Sequence, residues 1–233
     1  MKAGVVIFPG SNCDKDAYRA LTNVHGLDVK FLWHEDSDIG GLELIILPGG
    51  FSYGDYLRTG AFARFSPIMR AVESFARSGG LVLGICNGFQ VLLEAGLLPG
   101  AMLANKTLRF ICDWVYIKPE KTDSPFTFGL SGNETLKIPI AHFEGNYFAD
   151  DMVIDRLEKN KQVVFRYCDN SGIIKPDANP NGSINNIAGI ANEMGNVLGM
   201  MPHPERATEK ILGSDNGRMI FESILKWNAA TKK

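Results

Sequence analysis

The chain has 233 residues, 45% hydrophobic and 21% charged, which is ordinary globular composition. A formal net charge of −2, with lysines and arginines scattered, gives no electrostatic footprint for nucleic acid. The four cysteines, at 13, 86, 112 and 168, form no CxxC pair, which argues against a zinc ribbon or a dense disulfide framework and suits a reducing cytoplasm.

Residues 3–8 (AGVVIF) form a continuous apolar run closed by PGSN, the pattern of a strand buried on both faces. The run is too short for a signal-peptide core, and no apolar stretch reaches the roughly 18 residues of a membrane span. Residues 14–25 have helical spacing, with Ala17, Leu21 and Val24 on one face and Gly26 at the end. Strands are expected at 28–33 and 42–47, the second running into Pro48-Gly49-Gly50. PGGFSYGDYLRTG reads as a long functional loop. A helix over 61–78, a strand at 81–83 and a helix over 87–95 follow. This order predicts an α/β fold of three layers, an open, mostly parallel sheet with helices on both faces.

The middle of the chain changes character. Segments 107–118, 126–130, 134–141 and 162–167 look like strands that either extend the sheet or form antiparallel flaps. A turn at 179–186, a hairpin of 187–192 with 197–201 and a closing helix over 215–226 complete the chain. With no repeat and no linker, one domain over 1–233 is expected.

The stretch GICNGFQ (84–90) places a cysteine between glycines two positions away on either side, directly after a buried strand. G-x-C-x-G is the thiol form of the strand–turn–helix nucleophile elbow. Side chains at 84 and 88 would collide across so sharp a turn, and a helix starting near Asn87 would favour a thiolate on Cys86. The N–H of Asn87 can face a developing oxyanion. A plain buried cysteine with packing glycines is the competing reading.

A thiol nucleophile needs a base and a group that orients the base. In MMPHPERA (200–207), Pro202 and Pro204 favour extended backbone, so His203 and Glu205 should share a face. If strand 197–201 runs parallel to 81–83, both end on the edge of the sheet where open α/β folds carry their sites. Cys86, His203 and Glu205 are then nucleophile, base and orienter. His142, in AHFEG, competes for the base, since spacing alone does not exclude it. The P-C-x-x-C that a zinc deaminase requires is missing, and ligands for any other metal do not cluster in the sequence. The loop at Gly49 and Gly50 lacks the lysine and Ser/Thr of a phosphate-binding loop, but either glycine could supply a second oxyanion donor.

With VVIFPGSNCDKD, LPGGFSYGDYLRTGAFA, GICNGFQVLLEAGLLPGA and MPHPERA, the chain resembles the class I (triad-type) glutamine amidotransferases over essentially its whole length. Within them it is most similar to the glutaminase subunits of phosphoribosylformylglycinamidine synthase. The resemblance implies a flavodoxin-like sheet and hydrolysis of glutamine through a γ-glutamyl thioester on Cys86. It implies an oxyanion hole from the backbone of Gly50 and Asn87, and Gln90, Gly49 and Phe51 on the substrate side. It also implies no cofactor in this chain. ATP and Mg²⁺ chemistry would lie on a large synthetase partner (PurL), with a small third subunit (PurS) as a further partner. Docking is expected through 51–58 and 142–148. Phe143 stands where the family stretch is expected to carry glycine. The other readings are an amidotransferase subunit of a different pathway, a cysteine peptidase, and a non-catalytic binding subunit with an inert Cys86.

Overall fold

The computed structural model describes residues 1–231. Its main sheet has 9 strands in the order β2-β1-β3-β4-β11-β10-β9-β6-β7. The half that positions the site comprises β1 (Lys2–Ile7), β2 (Asp28–Trp33), β3 (Leu44–Leu47), β4 (Leu81–Ile85) and β11 (Val197–Met200). All of these pair in parallel. Every residue of β3, β4 and β11 is buried, as expected where helices cover both faces. The helices are α1 (Asp14–Arg19), α2 (Pro67–Arg77), α3 (Asn87–Glu94), α4 (Asp151–Lys159) and α5 (Arg218–Thr231). The other half is β10 (Ile187–Ala191), β9 (Val163–Cys168), β6 (Ile111–Pro119) and β7 (Leu136–His142), each antiparallel to its neighbour. The middle strands therefore extend the sheet. A separate pair joins β5 (Ala101–Leu103) to β8 (Asn146–Phe148).

Several expectations need correction. The helix expected over 61–78 is broken. A short 3₁₀ turn at Ala63–Phe65 precedes α2, and Ser66 between them is extended (φ −59°, ψ 139°). Pro67 causes the break, because its ring bars the preceding residue from the helical region while suiting the first helical position itself. The strand expected over 126–130 is a pair of turns, closed by Thr127 N–H to Ser124 O and Leu130 N–H to Thr127 O. Phe126 is buried there by tertiary packing. The strand expected from 107 begins at Ile111, because Leu108 turns the chain with φ 53°. α1 runs on as a π-helical turn at Ala20–Val24, and the chain then turns at Gly26 (φ 64°). Helix α4 is absent from the elements the sequence predicts.

Candidate active site

Cys86 sits between the last residue of β4 and the first of α3 with φ 50° and ψ −107°, which costs a residue with a side chain strain energy. The surrounding contacts explain why the chain tolerates it. A Cβ on Gly84 would lie 2.7 Å from the carbonyl oxygen of Gly88, and one on Gly88 would run into the carbonyl oxygen of Leu47. Glycine at both places lets the start of α3 pack against the ends of β3 and β4 more closely than a side chain would allow. As the first helical residue, Asn87 has an N–H with no partner inside the helix.

β11 pairs with β4 in parallel, Met200 opposite Ile85, so both strands leave the sheet on the same edge. Cys86 N–H donates to Met200 O at 2.8 Å, and His203 N–H donates to Pro139 O at 2.8 Å. The segment that follows is not extended as expected. Pro204–Arg206 is a 3₁₀ turn, with Pro204 in its first position. The turn still brings Glu205 back under the ring, with His203 Nδ1 2.6 Å from Glu205 Oε1 and both side chains buried. Burial alone would drive the imidazole toward neutrality. The charge of Glu205, followed by the thiols of Cys86 and Cys13, outweighs it and holds His203 well above the ordinary imidazole range. Among the described residues, His203 Nε2 and Glu205 Oε2 have no hydrogen-bond partner. The Cys86 thiol lies near the ring but donates to Ala141 O at 3.7 Å.

His142 is equally buried but has different partners. Its Nδ1 lies 3.0 Å from Asn105 Oδ1, and Asn181 Nδ2 approaches Nε2 at 3.5 Å. Burial, then the charge of His203, pushes it down to about 3. It is a neutral, amide-bracketed ring and is poorly suited to accept a proton.

A cavity of about 200 Å³ opens over Cys86. Gly50, Phe51, Asp55 and Thr59 line it on one side, Gln90 and segment 141–144 on the other. Gln90 is not an exposed helix residue. It is buried, donates from Nε2 to Glu144 O at 2.6 Å and accepts from Asn87 Nδ2 at 2.9 Å. Asn87 Oδ1 accepts the N–H of Ser52 at 3.1 Å, so α3 anchors both cavity loops. Gly49 lies outside the cavity, against His203 and Cys13. Sequence reasoning missed the acidic pair on the wall. Burial, then Glu144, raises Asp55 to about 6, and Thr59 Oγ1 donates to Glu144 Oε2 at 2.8 Å. Both acids sit inside motifs already singled out, GGFSYGD and AHFEG. A larger groove of about 740 Å³ lies behind Glu205, but Cys86 does not line it.

Among the described residues, one group carries metal-ligand donors: Cys13, His203 and Glu205, with ligand atoms within 4.8 Å of one another. A cation fits it poorly, because Nδ1 and Oε1 are spent on each other and Arg206 Nη2 donates to Cys13 Sγ at 3.1 Å. No described helix is long and apolar enough to cross a membrane.

A strained elbow thiol on the parallel half of the sheet, with a histidine–carboxylate pair delivered by the neighbouring strand, is the apparatus of thiol-dependent acyl transfer. The family model for CobB/CobQ-like glutamine amidotransferase domains matches residues 1–227. The phosphoribosylformylglycinamidine synthase subunit PurQ of Moorella thermoacetica is 60% identical over 227 residues, covering 97% of this chain and 96% of that protein. The corresponding subunit of Koribacter versatilis is 59% identical over 225 residues, covering 97% of each. A solved structure of PurLQS from Thermotoga maritima contains a chain 46% identical, with a TM-score of 0.85 over 97% of this chain and 98% of that one. The chain therefore belongs to the glutamine amidotransferases, in the family of PurQ subunits of phosphoribosylformylglycinamidine synthase.

Proposed function

We propose that this chain is the glutaminase subunit of phosphoribosylformylglycinamidine synthase. It hydrolyses glutamine and passes ammonia to an ATP-dependent synthetase subunit that converts formylglycinamide ribonucleotide to formylglycinamidine ribonucleotide. The observation that carries the catalytic part is the positive-φ Cys86 at the corner of β4 and α3, beside a buried His203–Glu205 pair 2.6 Å apart.

In this reading His203 takes the Cys86 proton, and the thiolate attacks the side-chain amide carbon of glutamine. The N–H groups of Asn87 and Gly50 receive the oxyanion. As the tetrahedral intermediate collapses, the C–N bond breaks and His203 returns the proton to the departing ammonia. That leaves a γ-glutamyl thioester on Cys86. Water, deprotonated by His203, then adds to the thioester carbonyl and releases glutamate and the free thiol. Glu205 fixes the imidazole and stabilises its charged form. Gln90 and Phe51 bound the substrate, and the acidic pair Asp55 and Glu144 suits its α-ammonium group.

This chain needs no cofactor for these steps, and the ATP and Mg²⁺ chemistry belongs to the partner. Ammonia released into neutral water would be protonated and lost as a nucleophile, so transfer within a complex is required. PurL and PurS are the partners of this reading, supported by the PurLQS relative and the family, and the cytoplasm is the compartment it proposes.

The test is glutamate release by wild type and Cys86→Ala, with and without the synthetase subunit, ATP and formylglycinamide ribonucleotide. Release should require Cys86 and rise with partner and ligands. Ammonia-dependent amidation by the partner should survive the substitution. Undiminished release from Cys86→Ala would overturn the reading.

A further inference from the structure

The segments around 13–16 and 203–206 meet at a place the mechanism does not use. Arg206 Nε donates to Asp16 Oδ2 at 3.1 Å, and Arg206 Nη2 donates to Cys13 Sγ at 3.1 Å. The Cys13 thiol donates in turn to Asn12 Oδ1 at 3.3 Å. Its sulfur, a ring nitrogen of His203 and a carboxylate oxygen of Glu205 lie within 4.8 Å of one another. The point of convergence is Gly49. A Cβ there would stand 2.7 Å from His203 Cε1, 3.1 Å from Cys13 Sγ and 3.4 Å from Cys86 Cβ. Only a residue without a side chain lets the ring and both cysteines share that space.

We infer that Cys13 is a positioning residue for His203, its sulfur fixed by Arg206 and, through Arg206, by Asp16. The bond from Nδ1 to Glu205 holds one edge of the ring, which can still pivot by concerted rotation about its two side-chain torsions. A second contact near the Cε1 edge stops the pivot and keeps Nε2 available to Cys86. Sulfur suits the place because it accepts from Arg206 and its polarisable electron density, so close to the ring, favours the positive charge of an imidazolium. An apolar residue would leave Nη2 without this acceptor in a half-buried position.

Cys13 is no second nucleophile. It is buried and lies outside the substrate cavity. Its backbone is unstrained, with φ −103°. Burial raises its thiol above the usual range despite His203 and Arg206, so it stays protonated beside the reacting pair.

This inference rests on the Cys86–His203 reading, and the test separates the two. The full chain, labelled in its histidine rings, is titrated by NMR as wild type, Cys13→Ala and Cys13→Ser, with His203→Asn to identify the signal. Glutaminase pH profiles are measured in the assembled complex. The groups facing His203 are Glu205, Cys86, Cys13 and His142, with Arg206 behind Cys13, and the substitutions change Cys13 alone. In Cys13→Ala the His203 titration should move to lower pH, because a partner that favours the charged ring is gone. kcat should fall roughly tenfold with KM little changed. Cys13→Ser should restore most of both. A His203 titration unmoved in Cys13→Ala would overturn the inference, as would equal losses in the alanine and serine variants. If Cys13→Ala does not fold, Asp16→Asn loosens Arg206 from its half-exposed end, and the same shift supports the inference or its absence overturns it. Glutamate release by Cys86→Ala would sink the catalytic reading and leave the ring titration intact as a separate result.

Discussion

Two histidines near Cys86 are tuned in opposite directions by what surrounds them. Burial works against the charge of both. His203 has the carboxylate of Glu205 and two thiols to offset it and is held above the usual range; His142 has two amides and the positive field of His203, and falls to about 3. The second case makes a stability prediction. The unfolded chain protonates His142 near the ordinary imidazole value, so between about pH 6.5 and 3 the unfolded state binds more protons at this site. Stability from a neutral His142 is complete above that window and is lost as pH falls through it, by up to about 1.4 kcal/mol per pH unit. Urea unfolding of wild type and His142→Gln from pH 7 to pH 4 measures it. The variant should show a shallower fall, by roughly one proton. Parallel curves would mean that His142 is charged in the fold or that its unfolded state is not ordinary.

At the scale of elements, the parts legible in the sequence are those whose signal is local. β1, β3 and β4 are continuous apolar runs because both faces are covered, and such runs need no long-range information to be seen. The same holds at the site, where glycines around Cys86 and prolines around His203 mark a corner and a turn. Cys13 and Arg206 carried no such mark. Their contact spans 193 positions and exists only because β1 and β11 deliver their ends to one edge. Helix α4 is hard to read in the sequence because five of its nine residues are charged and only Ile154 and Leu157 are buried. Yet its start is well made. The Asp150 carboxylate accepts the N–H of Val153 at 2.8 Å, which satisfies one donor and places a negative charge at the helix N-terminus. Asp150→Ala should cost about 1 kcal/mol by chemical denaturation, with glutaminase activity unchanged. A loss within error would mean that burial of Ile154 and Leu157 alone holds this turn.

For the whole molecule, the cavity opens beside an unusual concentration of exposed apolar side chains. Tyr56 is 68% exposed and Leu57 77%, between the lining residues Asp55 and Thr59, while Phe51 and Phe143 at the cavity are 45% and 42% exposed. Tyr56 packs against Phe62 at 5.5 Å, so part of this surface is ordered in the free chain. Arg58 is tied down as well, by a fork of two 2.7 Å bonds to Glu94 on α3. Several large exposed hydrophobic residues held by rigid supports fit a surface that is covered in an assembly. Ammonia must leave near Cys86 without meeting bulk water, so the partner has to seal the rim of this cavity. Replacing Tyr56 and Leu57 together by serine should weaken association with the synthetase subunit at least about tenfold, the loss expected when central apolar anchors are removed. Circular dichroism should not change, because neither side chain is in the core. Calorimetric titration of the doubly substituted chain into the synthetase subunit reads the effect directly. Coupling should suffer too, with glutamate released per amidated product rising above one as ammonia escapes. Wild-type affinity together with one-to-one coupling would show that the partner seals the cavity elsewhere, and the 142–148 segment, with Phe143 and Phe148 exposed, would be the next rim to test.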